Sequence, residues 1–231
     1  MIRMKLFVIE GLDGAGKSTQ IKLLRDFLIN QGYHCEYLHF PRTETPYFGE
    51  LIARFLRGEF GTISDVDPYL VAMLYAGDRK DASDQITSWL KKGHVVILDR
   101  YTYSNIAYQC AKLGDSVKQS ELMNWILKLE FEHFHIPEPD LNIFLDVPFT
   151  FTETKLSSRR SGDDRNYLNG APDIHESSIS FQNKVREMYL NVSVKDKRLA
   201  VVDCTGKEGG MLFPEEIFGK IINLIRSANL L

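Results

Sequence analysis

From Gly11 to Ser18 the chain reads GLDGAGKS, a glycine-rich stretch closing on a lysine and a hydroxyl, with Thr19 next. Glycines at this spacing let backbone N–H groups turn inward around an anion, and a helix starting at the lysine adds the positive end of its dipole. Gly11, Leu12, Asp13, Gly14, Ala15, Gly16, Lys17, Ser18 and Thr19 thus form a cradle for ATP. Lys17 neutralises the β and γ oxygens, and Ser18 is a ligand for Mg2+. Two carboxylates share the cradle. Asp13 would be repelled by triphosphate oxygens, so it must face something other than the donor; Glu10 is expected to make a structural bond to nearby backbone.

A second group of reactive side chains lies in LDRYTYSNIAYQ, residues 98–109. Asp99 at a strand end is placed to act on the metal or its waters, and Arg100 to face a phosphate, although an ordinary ion pair also explains an Asp-Arg step. Such a loop serves either an ATP-driven switch, with water as acceptor, or a kinase with a second substrate. A guanine-reading N-K-x-D is absent. Arg42, Arg79, Arg100, Arg159, Arg160 and Arg165 exceed what one nucleotide needs, which favours a kinase that joins two anionic nucleotides.

These groups must be positioned by βα repetition. Apolar runs at 5–10, 34–40, 94–99, 141–146 and 198–203 read as strands, and 17–31, 67–91, 118–133, 176–193 and 214–227 as helices. The expected fold is α/β, a P-loop NTPase-type three-layer arrangement: a five-stranded parallel sheet with helices on both faces, in one domain over 1–231. The segment 157–175 has two glycines, a proline and three arginines. It reads as an exposed loop, and in a phosphate enzyme as a mobile lid.

A net charge of −3 argues against general nucleic-acid binding. Cys35, Cys110 and Cys204 lack metal-ligand spacing, which suggests a reduced, cytoplasmic protein. The N-terminal apolar run is too short for a signal peptide, and no run is long enough to span a bilayer, so no membrane partner is expected.

The joint pattern of FVIEGLDGAGKST (7–19), FPR (40–42), LYAGDR (74–79), DRYTYSNIAYQ (99–109) and DIHE (173–176) resembles the thymidylate kinase family over nearly the whole chain. The resemblance implies phosphoryl transfer from MgATP to dTMP, and usually a homodimer. Another nucleoside or nucleoside monophosphate kinase, for UMP/CMP or deoxynucleosides, is the alternative.

Residue by residue, the resemblance implies that Arg42 and Arg100 hold the acceptor phosphate. Tyr75 stacks on thymine, Arg79 reads a base carbonyl, Asn105 bonds the pyrimidine edge and Phe40 walls the base pocket. Tyr108 lies under the deoxyribose, and Asp13 contacts its 3′-hydroxyl near the metal's water shell. Bland alternatives are core aromatics for Phe40, Tyr75 and Tyr108, a helix-capping or turn residue for Asn105, a tolerated turn residue for Asp13, and a surface pair with Asp78 or Asp81 for Arg79. Some members carry a catalytic arginine after the loop's acid. Gly14 stands there in this chain, so the charge is expected from Arg159, Arg160 or Arg165. Asp164 or Asp173 matches the lid's acidic position.

Overall fold

A computed structural model describes residues 5–151, 167–168, 170, 173–175 and 178–230. Strands β1 (Lys5–Gly11), β2 (Cys35–His39), β3 (Val95–Asp99), β4 (Leu141–Asp146) and β5 (Leu199–Asp203) form one sheet in the order β2-β3-β1-β4-β5. Every pairing is parallel, with Ile9 opposite Asp99 on one side of β1 and Ile143 on the other. Each strand lies within one residue of its sequence reading at either end.

Strand β1 shows why the sheet needs helices on both faces. All its residues after Lys5 are buried. Phe7 and Ile9 pack with Ile21, Leu24 and Leu28 of α1 (Lys17–Asn30) and with Ile217, Ile221 and Ile225 of the C-terminal helix Pro214–Ser227. Leu6 and Val8 point the other way, onto Ala82, Ile86 and Leu90 of a long helix, Pro68–Lys91. Side chains alternate along a strand, so an apolar residue at every position demands two apolar layers. Each buried leucine or isoleucine in those layers contributes about 2 kcal/mol.

The chain departs from β1 toward β2 on one side and reaches β4 and β5 on the other. The carboxyl ends of β1 and β3 therefore flank a topological switch point, where ligands of such sheets gather. The loop after β1 turns at Gly14 and Gly16, both with positive φ, and Gly16 is the left-handed residue that opens α1. A side chain at either position would be strained there.

Two helices escaped the sequence reading: α2 (Phe48–Leu56) and α4 (Thr102–Cys110), with Pro68–Lys91 as α3 between them. Asp67 caps α3 by accepting from the Tyr69 N–H at 2.8 Å. The expected helix at 118–133 is α5 (Ser116–Leu127), continued by a π-helical turn at Lys128–His133. The expected 176–193 is α6 (Ile179–Lys195), and Pro214–Ser227 is α7. No described helix is long and apolar enough to cross a membrane. Of the expected lid at 157–175, Arg159, Arg160, Asp164 and Arg165 lie outside the described residues.

Candidate functional site

A cavity of about 1230 Å³ runs across the carboxyl ends of the strands, from Gly14–Thr19 past Asp99 and Arg100 to Phe40, Tyr75, Arg79, Asn105 and Tyr108. It collects the predicted residues of the described chain except Gly11 and Leu12, which do not line it but support it from beneath. Their carbonyls accept from Lys17 Nζ at 3.3 and 3.0 Å, which holds the ammonium against its own loop. Burial and the Arg100 charge lower the Lys17 pKa, while Asp99, Asp13 and Glu10 oppose them.

Beside Lys17, Asp99 is buried. Its Oδ2 faces His39 Nδ1 at 3.3 Å, while its Oδ1 has no hydrogen-bond partner. Burial raises the Asp99 pKa, but the His39 bond and the Lys17 charge outweigh it, and the net shift is downward. Ser18, exposed in the first turn of α1, lines the same cavity. One hydroxyl and one ionised carboxylate with a free oxygen fit Mg2+, which keeps most of its shell as waters and phosphate oxygens. Among the described residues there is no cluster of three or more acidic, His or Cys side chains for a metal.

Arg100 follows Asp99 at φ 67°, a left-handed conformation that costs a non-glycine residue energy. Two contacts hold it there: its N–H donates to the Ile9 carbonyl at 3.0 Å, and the next N–H, of Tyr101, donates to Glu10 Oε1 at 2.9 Å. Glu10 also accepts from the Ser104 N–H at 3.2 Å and the Tyr189 hydroxyl at 2.9 Å. The second acid of the cradle thus works behind it, bonded to backbone and to buried hydroxyls. Fixed in this way, Arg100 donates from Nη2 to Asp13 Oδ1 at 2.8 Å and stacks its guanidinium 5.3 Å from the Tyr108 ring centre. The Tyr108 hydroxyl donates to Asp13 Oδ2 at 3.2 Å. Asp13 therefore points from the loop toward the acceptor half, bound to two residues read as acceptor contacts.

Below Tyr108 lies His175, with ring centres 4.9 Å apart. Burial and the Lys112 charge pull His175 down to about 3, so the ring is neutral. Asp173 accepts from the Tyr167 hydroxyl at 2.9 Å and from the His175 N–H at 2.8 Å, which closes this wall of the cavity.

Beyond Arg100, two more arginines are each gripped on one side. Arg42 donates from Nε to Asp78 Oδ1 at 2.8 Å, and from Nη2 to the Asp78 carbonyl at 2.8 Å and Asp81 Oδ2 at 2.6 Å. The acids offered as bland partners of Arg79, buried Asp78 and exposed Asp81, thus belong to Arg42. Arg79 is buried and makes a bidentate pair with Glu130, Nε and Nη2 each 2.6 Å from a carboxylate oxygen. Burial lowers its pKa, but Glu130 outweighs that, and the net shift is upward. Asn105 donates to the Ala72 carbonyl and to Glu130, both at 3.0 Å; its Oδ1 is buried with no partner. Phe40 is buried against Tyr101, and Tyr75 is half-buried on the cavity wall.

Several residues of the site were not read from the sequence. Gln109, buried with both amide atoms unpaired, faces the cavity directly after Tyr108. The sequence signal for it was there, because it closes the quoted SNIAYQ. His39 had none beyond its place at a strand end. Glu130 and Asp78 are acids inside helices, which composition alone assigns to solvent. At the far end the cavity passes Gly16 to Met211, Leu212 and Phe213, where apolar side chains border the donor half.

Comparisons with known proteins show the family. The thymidylate kinase family model matches residues 9–210. A probable thymidylate kinase of Thermococcus kodakarensis is 33% identical over 225 residues, covering 95% of this chain and 96% of the relative. A thymidylate kinase of Mycobacterium tuberculosis is 30% identical over 190 residues, with 82% and 86% covered. The solved thymidylate kinase of Candida albicans superposes with a TM-score of 0.71 at 28% identity, over 99% of this chain and 93% of that one.

Proposed function

The chain belongs to the thymidylate kinase family and is a dTMP kinase, and we propose that it takes the γ-phosphoryl group from MgATP, giving dTDP and ADP for dTTP synthesis. The observation that carries the acceptor reading is the base end. Buried, unpaired Asn105 Oδ1 and Gln109 amide stand beside the anchored Arg79, in a cavity continuous with the ATP cradle. Unpaired buried polar atoms are costly, and a pyrimidine edge would satisfy them.

In this reading Gly11–Thr19 hold the donor phosphates, and Lys17 follows the charge on the transferred group. Ser18 and Asp99 would hold Mg2+, which when bound would neutralise charge on the donor phosphates. Arg42 and Arg100 fix the acceptor phosphate in line with the donor. Asp13 accepts from the deoxyribose 3′-hydroxyl while keeping Arg100 and Tyr108 in place, and Tyr108 supports the sugar. Tyr75 and Phe40 enclose the base. The loose transition state leaves the protein little covalent work, so positioning and charge neutralisation supply the rate. Arg159, Arg160 or Arg165 brings the last cation on a mobile lid at 157–175 that excludes water.

We also propose one catalytic domain over 1–231, active in the cytoplasm as a homodimer; Leu70 and Met73, exposed on α3, support a contact surface on that side of the sheet. A coupled ADP-release assay with MgATP over nucleosides and nucleotides tests the reading. Fast, metal-dependent turnover with dTMP and little with nucleosides is expected. Slow turnover indifferent to the acceptor would overturn it.

A further inference from the structure

Glu130 is absent from the cavity lining, yet it bonds two residues that line its base end, Arg79 and Asn105, and Thr102 behind them. Its Oε1 accepts from Arg79 Nη2 at 2.6 Å and Asn105 Nδ2 at 3.0 Å. Its Oε2 accepts from Arg79 Nε at 2.6 Å and Thr102 Oγ1 at 2.8 Å. The carboxylate is fully buried. It sits in the π-helical turn Lys128–His133, a local widening of the helix that recurs at functional sites. We propose that Glu130 is a positioning residue that writes the hydrogen-bond code by which this pocket separates keto pyrimidines from aminopyrimidines. This deepens the dTMP reading and rests on it.

The code follows from what a carboxylate can do. It accepts and never donates, so every group facing it must present N–H or O–H. Asn105 spends both N–H bonds, one on Glu130 and one on the Ala72 carbonyl. Its side chain then has only Oδ1, an acceptor, left for a ligand. Arg79 spends Nε and one Nη2 hydrogen on Glu130, and everything it has left donates. One fixed acceptor beside fixed donors suits a base with an N3–H next to a 4-carbonyl, as in thymine or uracil. Cytosine reverses both positions: its N3 lone pair would meet Oδ1, and its 4-amino group would meet guanidinium N–H. Gln109 does not blur the code, because its free amide can turn to suit either base.

The test compares kcat/KM for dTMP, dUMP and dCMP in the wild type, Glu130→Gln and Glu130→Asp. Glutamine puts an N–H where an acceptor was, so Arg79 or Asn105 loses a partner and the Asn105 amide is free to turn over. The wild type should prefer dTMP to dCMP by roughly 10² or more, since a site built on hydrogen bonds strongly rejects a mismatched ligand. Glu130→Gln should shrink that ratio at least about tenfold. The dTMP to dUMP ratio turns on the 5-methyl group and should hold within about twofold. Ratios within one preparation cancel any inactive fraction. If Glu130→Gln does not fold, Glu130→Asp keeps the charge against Arg79 but draws the carboxylate back from Asn105, and the same shift is expected.

A folded variant that keeps the wild-type dTMP to dCMP ratio would overturn the proposal. A parallel fall in both ratios, the mark of general loosening, would overturn it as well. A wild type indifferent to dTMP and dCMP would instead sink the dTMP reading itself.

Discussion

At the phosphate end Lys17 leans on two carbonyls of its own loop, five and six residues away; at the base end Arg79 is clamped by a carboxylate 51 residues further along. The first arrangement is backbone folded on itself, with charged groups left facing the cavity. In the second, side chains from α3, α4 and the π-helical turn satisfy one another and leave only a few atoms over. Charge neutralisation by Lys17 tolerates looser placement, because Coulomb forces fall slowly with distance. Hydrogen-bond recognition does not, which is why the base end is braced from behind.

The largest effect expected from this contrast falls at the phosphate end. Replacing Arg159, Arg160 and Arg165 singly by alanine should expose one variant with kcat reduced by about 10³ or more and dTMP affinity nearly unchanged. Steady-state kinetics beside dTMP calorimetry reads both; near-normal kcat in all three would mean that the charge comes from elsewhere.

Next is the base end, where charge removal should act on stability. Arg79→Met leaves Glu130 buried without its cation and should cost about 4 kcal/mol in chemical denaturation. Arg79→Met/Glu130→Met should recover most of that while dTMP selectivity stays lost. Equal destabilisation of the single and double variants would show that the network holds the fold rather than the specificity.

Asp13 lies where the two ends meet. Asp13→Ala frees Arg100 and Tyr108 together, and turnover of dTMP should drop by roughly 10² while ATP binding survives. Asp13→Asn should be impaired as well, because a neutral amide binds a hydroxyl and a guanidinium less strongly. Wild-type kinetics in Asp13→Ala would contradict this placement, as would loss of ATP binding with no acceptor defect.

The smallest effect concerns Lys112, a half-buried residue whose Nζ is itself buried with no hydrogen-bond partner, 4.8 Å from the Phe55 ring centre. Burial pulls it down to about 7, against a weaker opposing pull from Asp67. The unfolded chain holds this proton to about pH 10.5, so between pH 7 and 10.5 it binds more protons than the fold does, and stability rises with pH. Lys112→Met should therefore stabilise the fold by about 2 kcal/mol at and below pH 7, with the gain shrinking toward pH 10. A gain independent of pH would place the Lys112 proton elsewhere.

What could be read in advance follows the same division. The five strands and the cradle were legible because their signals are local: apolar runs of strand length, and glycines spaced around a lysine before a helix. Helix α2 was missed although Ile52, Phe55 and Leu56 mark its buried side, because the irregular segment from Pro41 to Pro46 obscured its start. Helix α4 was missed for a different reason. All nine of its residues are buried, so it carries no polar face from which a period could be read. The base end was half legible. Arg79 and Asn105 came from the resemblance, but Glu130 sits in a segment that reads as ordinary amphipathic helix, and nothing local says that its carboxylate turns inward. Asp78 shows the same blindness: it stands beside Arg79 in sequence and serves Arg42 in space.

The Glu130 network forms without any nucleotide, so the base end should select the acceptor before the phosphate end is filled. Calorimetry of dTMP and dCMP with the enzyme in the absence of ATP tests it most directly. The account predicts that dTMP binds at least about tenfold more tightly than dCMP, from a single well-placed hydrogen bond or more, and that Lys17→Met leaves this preference intact. Equal affinities without ATP, with selectivity appearing only once MgATP is present, would contradict it.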